Sequence, residues 1–378
     1  MKNLFHVTAA LALAAVHLPA GAESATVTRA WQFKPESVQG LRVRNLIGDV
    51  RVERGTDPGF HVTANATIDA ASKAEAERLL SLINFKSADG GAASRFDVRL
   101  PKEHFPKIYW SGGSTGWWST TFVEYLDERI RVTADRGSAP EVRVDLVIRA
   151  PVGSKLEVRN VFGNATANAV SGELRLDGNS GELRSIGGDG RVELDTGSGP
   201  VEVTGHRGSV GADTGSGSVK ISDCECEIAA DTGSGSITIR NGIGSLRADT
   251  GSGGVVIEGF SGSIEADTGS GSVQARGVKD VRDLDVDTGS GGVSVEGDLS
   301  ALHAVTIDTG SGGVDLRSSV APSMEFRIDT GSGGVDIEVP GATVQKNDGI
   351  WTVKMGTGTG AGRGVIDTGS GSVDIRVP

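Results

Sequence analysis

Apolar and polar residues alternate along most of this chain, and one five-residue stretch interrupts the alternation at regular intervals. In Val192-Glu-Leu-Asp195-Thr-Gly-Ser-Gly-Pro-Val201-Glu-Val203, Val192 and Leu194 share a side before the turn, and Val201 and Val203 share it afterwards. The same positions recur as Ile264/Ala266 with Val273/Ala275, and as Val305/Ile307 with Val314/Leu316. A period of two on either side of Gly-rich punctuation predicts two strands of about four residues and two turns per unit. Asp-Thr-Gly-Ser-Gly occurs nine times, starting at Asp195, Asp213, Asp231, Asp249, Asp267, Asp287, Asp308, Asp329 and Asp367. The first four steps are 18 residues, the next three are 20, 21 and 21, and the last is 38. A fixed period in this range means stacked structural units. Laid flat, such strands would leave an apolar face in water; winding them into a coil closes that face on itself. The expected fold is therefore all-β: a parallel β-solenoid of 18–21 residues per coil over residues 151–378.

Residues 23–150 lack the repeat. Leu41 to Val52 reads as two short strands around a turn at Asn45–Asp49, and Leu156 to Ala167 echoes it. Ser72-Lys-Ala-Glu75 has the pattern of a capping box. It opens the one convincing helix, Lys73 to Phe85, with Ala76, Leu79, Leu80 and Ile83 on one face. Phe96/Val98/Leu100 and Val142/Val144/Leu146/Ile148 alternate as strands. This region is expected to be β-rich, with one short helix, and to cap the solenoid.

Composition adds the compartment. Lys2, the apolar run Leu4–Leu18, and Ala20 and Ala22 at signal-peptidase spacing predict a leader over residues 1–22. The mature chain is expected to be exported, in the periplasm, at the cell surface or outside the cell. No later apolar run reaches the ~20 residues of a membrane helix. A net charge of -12 argues against a nucleic-acid partner. The two cysteines, Cys224 and Cys226, can pair in an oxidising compartment or stand as small turn residues.

The chemistry of the repeat has two readings. Asp can bond to backbone N–H groups two or three residues on, Gly supplies positive φ, and Thr and Ser hydroxyls can form ladders between coils. Stacked carboxylates also repel, by ~1 kcal/mol per adjacent pair in water. Backbone donors or bound Ca²⁺ would offset this. Asp-Thr-Gly-Ser is also the aspartic-protease tetrapeptide, but that chemistry needs two such Asp sharing a proton, not nine at solenoid spacing. His206 and His303 fall near the variable turns with no paired base in view, so no catalytic or cofactor-binding set is assigned. The candidate ligand residues are aromatic. Tyr109, Trp110, Trp117 and Trp118 fall in the segment His104–Tyr125, either in an exposed loop that stacks on sugars or in a hairpin that covers the end of the solenoid.

Leu41–Val52, the strand Val142–Pro151 with the following Gly-Ser-Lys-Leu-Glu-Val-Arg-Asn, and the Asp-Thr-Gly-Ser-Gly-x-Val units resemble the bacterial "putative adhesin" domain of unknown function. They are also similar to the related head domains called "putative auto-transporter adhesins". The resemblance spans residue 40 to the end and implies an extracytoplasmic parallel β-helix-like fold without family site residues. The expected function is a non-catalytic envelope or secreted scaffold for adhesion. Its partner would be a surface glycan, an envelope protein or a second copy, paired end to end through Ser372–Pro378 as an open terminal strand. The alternatives are a β-helix lyase or hydrolase acting on polysaccharide, or a purely structural envelope protein.

Overall fold

The computed structural model describes residues 23–34, 40–88, 93–111, 120–356 and 361–378. The leader expected over residues 1–22 lies outside them. The fold is β throughout apart from one helix, and contacts divide it into two compact units, Met1–Gly199 and Pro200–Pro378.

In the first unit, Gly40–Ile47 and Val50–Arg54 form a coil of the solenoid. Leu156 stacks in parallel on Leu41, and Ala165 on Val50. Ser171–Ser180 then stacks on Ser154–Phe162, and Asp189–Thr196 on Ser171–Ser180. The echo between residues 41–52 and 156–167 is thus direct stacking of two coils that are distant in sequence. The intervening residues build a cap. Glu141–Ala150 lies parallel to Val50–Arg54 and antiparallel to Phe60–Ala70, which pairs in turn with Glu23–Phe33. Ser94–Arg99 covers the other strand of that coil, Leu41 opposite Ser94.

The helix spans Lys73–Leu82, three residues shorter than the apolar pattern suggests. Ser72 caps it by accepting from the Glu75 amide at 3.3 Å. The Glu75 carboxylate is taken up by Arg78 at 2.8 Å, so only half of the capping box is built. Phe85 belongs to the next strand, Asn84–Ala88, and packs with Trp31 and Phe96 at centroid distances of 5.1 and 6.3 Å.

In the second unit the coils stack in register, with Asp213, Asp231, Asp249, Asp267, Asp287 and Asp308 aligned one above the next. Apolar side chains fill the interior, including Ala230, Ala248, Ala266, Val286 and Ile307. The strands are less even than four residues each. Val219–Thr232 and Ile237–Thr250 each run 14 residues through the turn opposite Asp-Thr-Gly-Ser-Gly. That turn is a single corner residue in left-handed conformation: Asp223 at φ 54°, Asn241 at 52°, Gly259 at 68° and Gly277 at 62°.

The Asp-Thr-Gly-Ser-Gly turn works differently from the expectation. Among its glycines only Gly331 has a positive φ. The second glycine is required by close approach, because a Cβ on Gly253 would overlap the Gly235 carbonyl oxygen in the coil beneath. Thr, not Asp, fixes the turn. Its side chain points inward and is buried, as the alternation from Ala248 demands. Thr250 Oγ1 accepts from the Gly253 amide at 3.1 Å and donates to the Gly235 carbonyl at 2.9 Å. Thr232 and Thr268 repeat both bonds. Between these coils the ladder runs from hydroxyl to backbone rather than from hydroxyl to hydroxyl, whereas Thr288, Thr309, Thr330 and Thr368 donate to the carbonyl three residues on in their own turns. Asp faces outward, and Asp329 also accepts from its own turn, from the Gly331 amide at 3.3 Å.

Coil order departs from chain order at the C-terminal end. Gly362–Thr368 pairs with Ala304–Thr309 on one side and with Met324–Asp329 on the other. Val373–Arg376 likewise lies between Val314–Ser318 and Val335–Glu338. The last coil in sequence is thus slotted between two earlier ones. This corrects the expectation of an open terminal strand at Ser372–Pro378, and the motive for end-to-end pairing through that strand falls away. The 38-residue step contains a hairpin, Thr343–Asn347 with Ile350–Met355. Its second strand pairs antiparallel with Met324–Asp329 and covers that strand's outer edge.

Candidate ligand surfaces

The four aromatic candidates do not share one environment. Trp110 is buried, and its amide donates to the Thr133 carbonyl. Tyr109 is half-buried, with the Arg136 guanidinium 5.6 Å above its ring. Trp117 and Trp118 lie outside the described residues. Tyr125, at the end of the same segment, is buried and donates to the Val98 carbonyl at 2.7 Å. Burial pushes its phenol well above the usual range. Trp110 and Tyr125 are thus packing for the cap, whereas Tyr109, and Phe122 further along the segment, reach solvent.

Beside Tyr109 lies a cavity of about 340 Å³, lined by Asp69, Glu75, Leu79, Arg136 and Pro140 among others. Strand pairing puts Asp69 and Tyr109 on either side of Glu141. Burial, and then the Glu141 charge, raise the Asp69 carboxyl above its ordinary value, while Arg136 opposes the shift. The Glu141 carboxylate accepts from the Ser111 hydroxyl. Carboxylates and a guanidinium therefore line one concave surface, and the Tyr109 ring lies under that guanidinium. This is the mixture of polar groups and flat apolar area that orients a small polar ligand.

The outward Asp column is the second candidate. In the second unit it comprises eight carboxylates, ordered Asp213, Asp231, Asp249, Asp267, Asp287, Asp308, Asp367 and Asp329. Burial, and then the neighbouring Asp249 charge, push the Asp231 carboxyl up. For Asp267 the causes are burial, Asp249 and then Asp287. Nine residues further along each coil, a different outward column alternates in sign: Arg240, Glu258, Arg276, Glu296 and Arg317. Arg240 meets Glu258 there at 2.7 Å. In the first unit the Asp position itself is mixed: Asp97, Arg44, Arg159, Asp177 and Asp195 stack in that order. Arg44 grips Asp97 through two bonds of 2.7 and 2.8 Å. Among the described residues no group of three or more His, Cys, Asp or Glu is arranged to hold a metal ion.

Cys224 and Cys226 are joined as a disulfide with a Cα–Cα distance of 5.5 Å, and both face the interior. Cys226 pairs with Gly208 on one side and Gly244 on the other. It occupies a column otherwise held in this unit by Gly208, Gly244 and Gly262, at φ between 120° and 135°. That glycine column repeats every 18 residues and was available as a sequence signal for the second turn.

No protein family matches the chain, and no curated protein matches it. Among solved structures, the chain is similar to a putative cell adhesion protein from Clostridium sporogenes, at 8% identity and a TM-score of 0.20. The likeness covers 94% of this chain and 100% of that one.

Proposed function

We propose that this chain is an exported, non-catalytic β-solenoid scaffold that binds a surface glycan through its N-terminal cap. One observation carries the reading: Arg136 held over the Tyr109 ring, beside a cavity edged by Asp69 and Glu75. Sugars present hydroxyls to charged and amide groups and a flat C–H face to aromatic rings, and that surface offers both. The coils offer a different surface. Many of their outward arginines are satisfied by the adjacent coil, as with Arg247 and Glu265 or Arg376 and Glu338. The leader-like N-terminus supports export. A glycan-array screen of the protein beside Tyr109→Ala/Arg136→Ala tests the proposal. Binding that weakens about tenfold or more in the double variant, with an unchanged melting temperature, is the expected result. A blank array, or binding indifferent to the two residues, rejects the cap as the site.

A further inference from the structure

The cap carries a cationic face. Lys107–Tyr109, Glu128–Thr133 and Thr120–Tyr125 form a small sheet, with Lys107 opposite Arg131 and Phe122 opposite Arg131 on its other side. Positions in register share a face, so Lys107, Arg129, Arg131, Tyr109 and Phe122 all project the same way. Phe122 is 55% exposed, the Arg129 guanidinium stands 4.6 Å from its ring centroid and that of Arg131 6.0 Å. Arg136 over Tyr109 extends the surface towards the cavity.

These cations are not neutralised in the way the paired arginines of the coils are. Among the described residues, Lys107, Arg129 and Arg131 make no ion pair, whereas Arg240 and Arg247 are each held by a Glu of the next coil. The carboxylates in register with the face are Glu124, opposite Arg129, Glu141, which is engaged by Ser111, and Asp69 beyond Glu141. Arg129 and Arg131 are spaced roughly 6.5 Å apart along the strand, with Lys107 about 4.8 Å away across it. In a chain of net charge -12, a cluster of free cations beside exposed rings is a local reversal of sign. Guanidinium forks match carboxylates in plane, and the rings supply stacking area between them.

We infer that this face binds an acidic polysaccharide, one whose sugars carry carboxylates as uronic acids do. The inference rests on the glycan-binding reading above and names its ligand class. Arg129 and Arg131 would pair with successive carboxylates, and Phe122 and Tyr109 would lie against the sugar faces between them.

The test uses the full chain and polygalacturonate, with its fully methyl-esterified form as the neutral twin, in titration calorimetry at low and moderate salt. Binding of the acid form is expected, at least about tenfold tighter than the ester and weakening as salt rises. Arg129→Gln/Arg131→Gln should lose it, and Arg129→Lys/Arg131→Lys should keep part of it. Thermal melting of each variant confirms the fold. Equal binding of acid and ester overturns the inference while leaving a glycan-binding cap intact. So does an array that finds neutral glycans when polygalacturonate stays unbound. Binding to vesicles rich in anionic phospholipid, with none to polygalacturonate, overturns it in favour of a membrane surface. Failure of every glycan sinks both readings together.

Discussion

The two turns of each coil solve the same problem by opposite means. The Asp-Thr-Gly-Ser-Gly turn is held by a buried hydroxyl and by a glycine against which the neighbouring backbone is pressed. The turn across the coil is held by one residue in left-handed conformation, and Gly, Asp and Asn all serve there. The first constrains side-chain chemistry at every level, so its sequence repeats. The second constrains one φ angle, so its sequence drifts, and the whole repeat grows from 18 to 20 and 21 residues. Repetition in this chain therefore marks tight stacking, and variation marks the side where stacking is loose.

Substitution of glycine separates the two turns most sharply. Gly253→Ala would drive a Cβ into the Gly235 carbonyl, and both backbones are fixed by neighbouring coils. A loss of at least about 3 kcal/mol, or failure to fold, is expected in urea melts. Next comes Thr250→Val, which keeps the shape but strands the Gly253 amide and the Gly235 carbonyl. It should cost about 2 kcal/mol by the same measurement. Gly259→Ala probes the other turn. The new methyl would stand 3.0 Å from Asn241 Oδ1, and the φ of 68° is one that Asn241 and Asp223 already adopt. A cost of about 1 kcal/mol is expected; a loss as large as that of Gly253→Ala would erase the distinction between the turns.

The smallest effect has the opposite sign. The Asp267 carboxyl is raised in the folded protein by burial and by Asp249 and Asp287. Between its unfolded value near 4 and its folded value, the native state binds more protons. That contribution to stability is gained as pH falls through the folded value and is absent at neutral pH. Asp267→Asn should therefore stabilise the protein at pH 7 by on the order of 0.5–1 kcal/mol. The gain should vanish below about pH 3.5 and shrink as salt screens the column. A variant less stable than the parent at pH 7 would mean that the carboxylate makes a favourable contact.

Much of this architecture was legible because parallel stacking in register turns geometry into sequence period. The strands Leu41–Val52 and the start of the helix at Lys73 were legible for the same kind of reason, as local patterns. The role of Thr was also within reach. The alternation that buries Ala248 must turn Asp249 outward and Thr250 inward, because the period of two continues into the motif itself. The slotted coil was not legible. Val335-Asp-Ile337 and Val373-Asp-Ile375 present the same residues to Val314-Asp-Leu316, so local pattern cannot choose between them. On the cap, aromatic content drew attention to Tyr109 and Trp110. Arg129 and Arg131 share a face by alternation along one strand, but Lys107 and Phe122 join them only through strand pairing.

The slotted coil also bears on how this end of the protein would yield under load. Stacked coils in simple order can peel from an end, one neighbour interface at a time. Here residues 362–376 are gripped on both sides, so tension applied to them must shear two ladders at once. The coil outside them, residues 324–338, cannot lift away without exposing that same segment. The arrangement is a mechanical latch: the last coil in sequence cannot be pulled away through a single ladder, as it could in an array stacked in simple order.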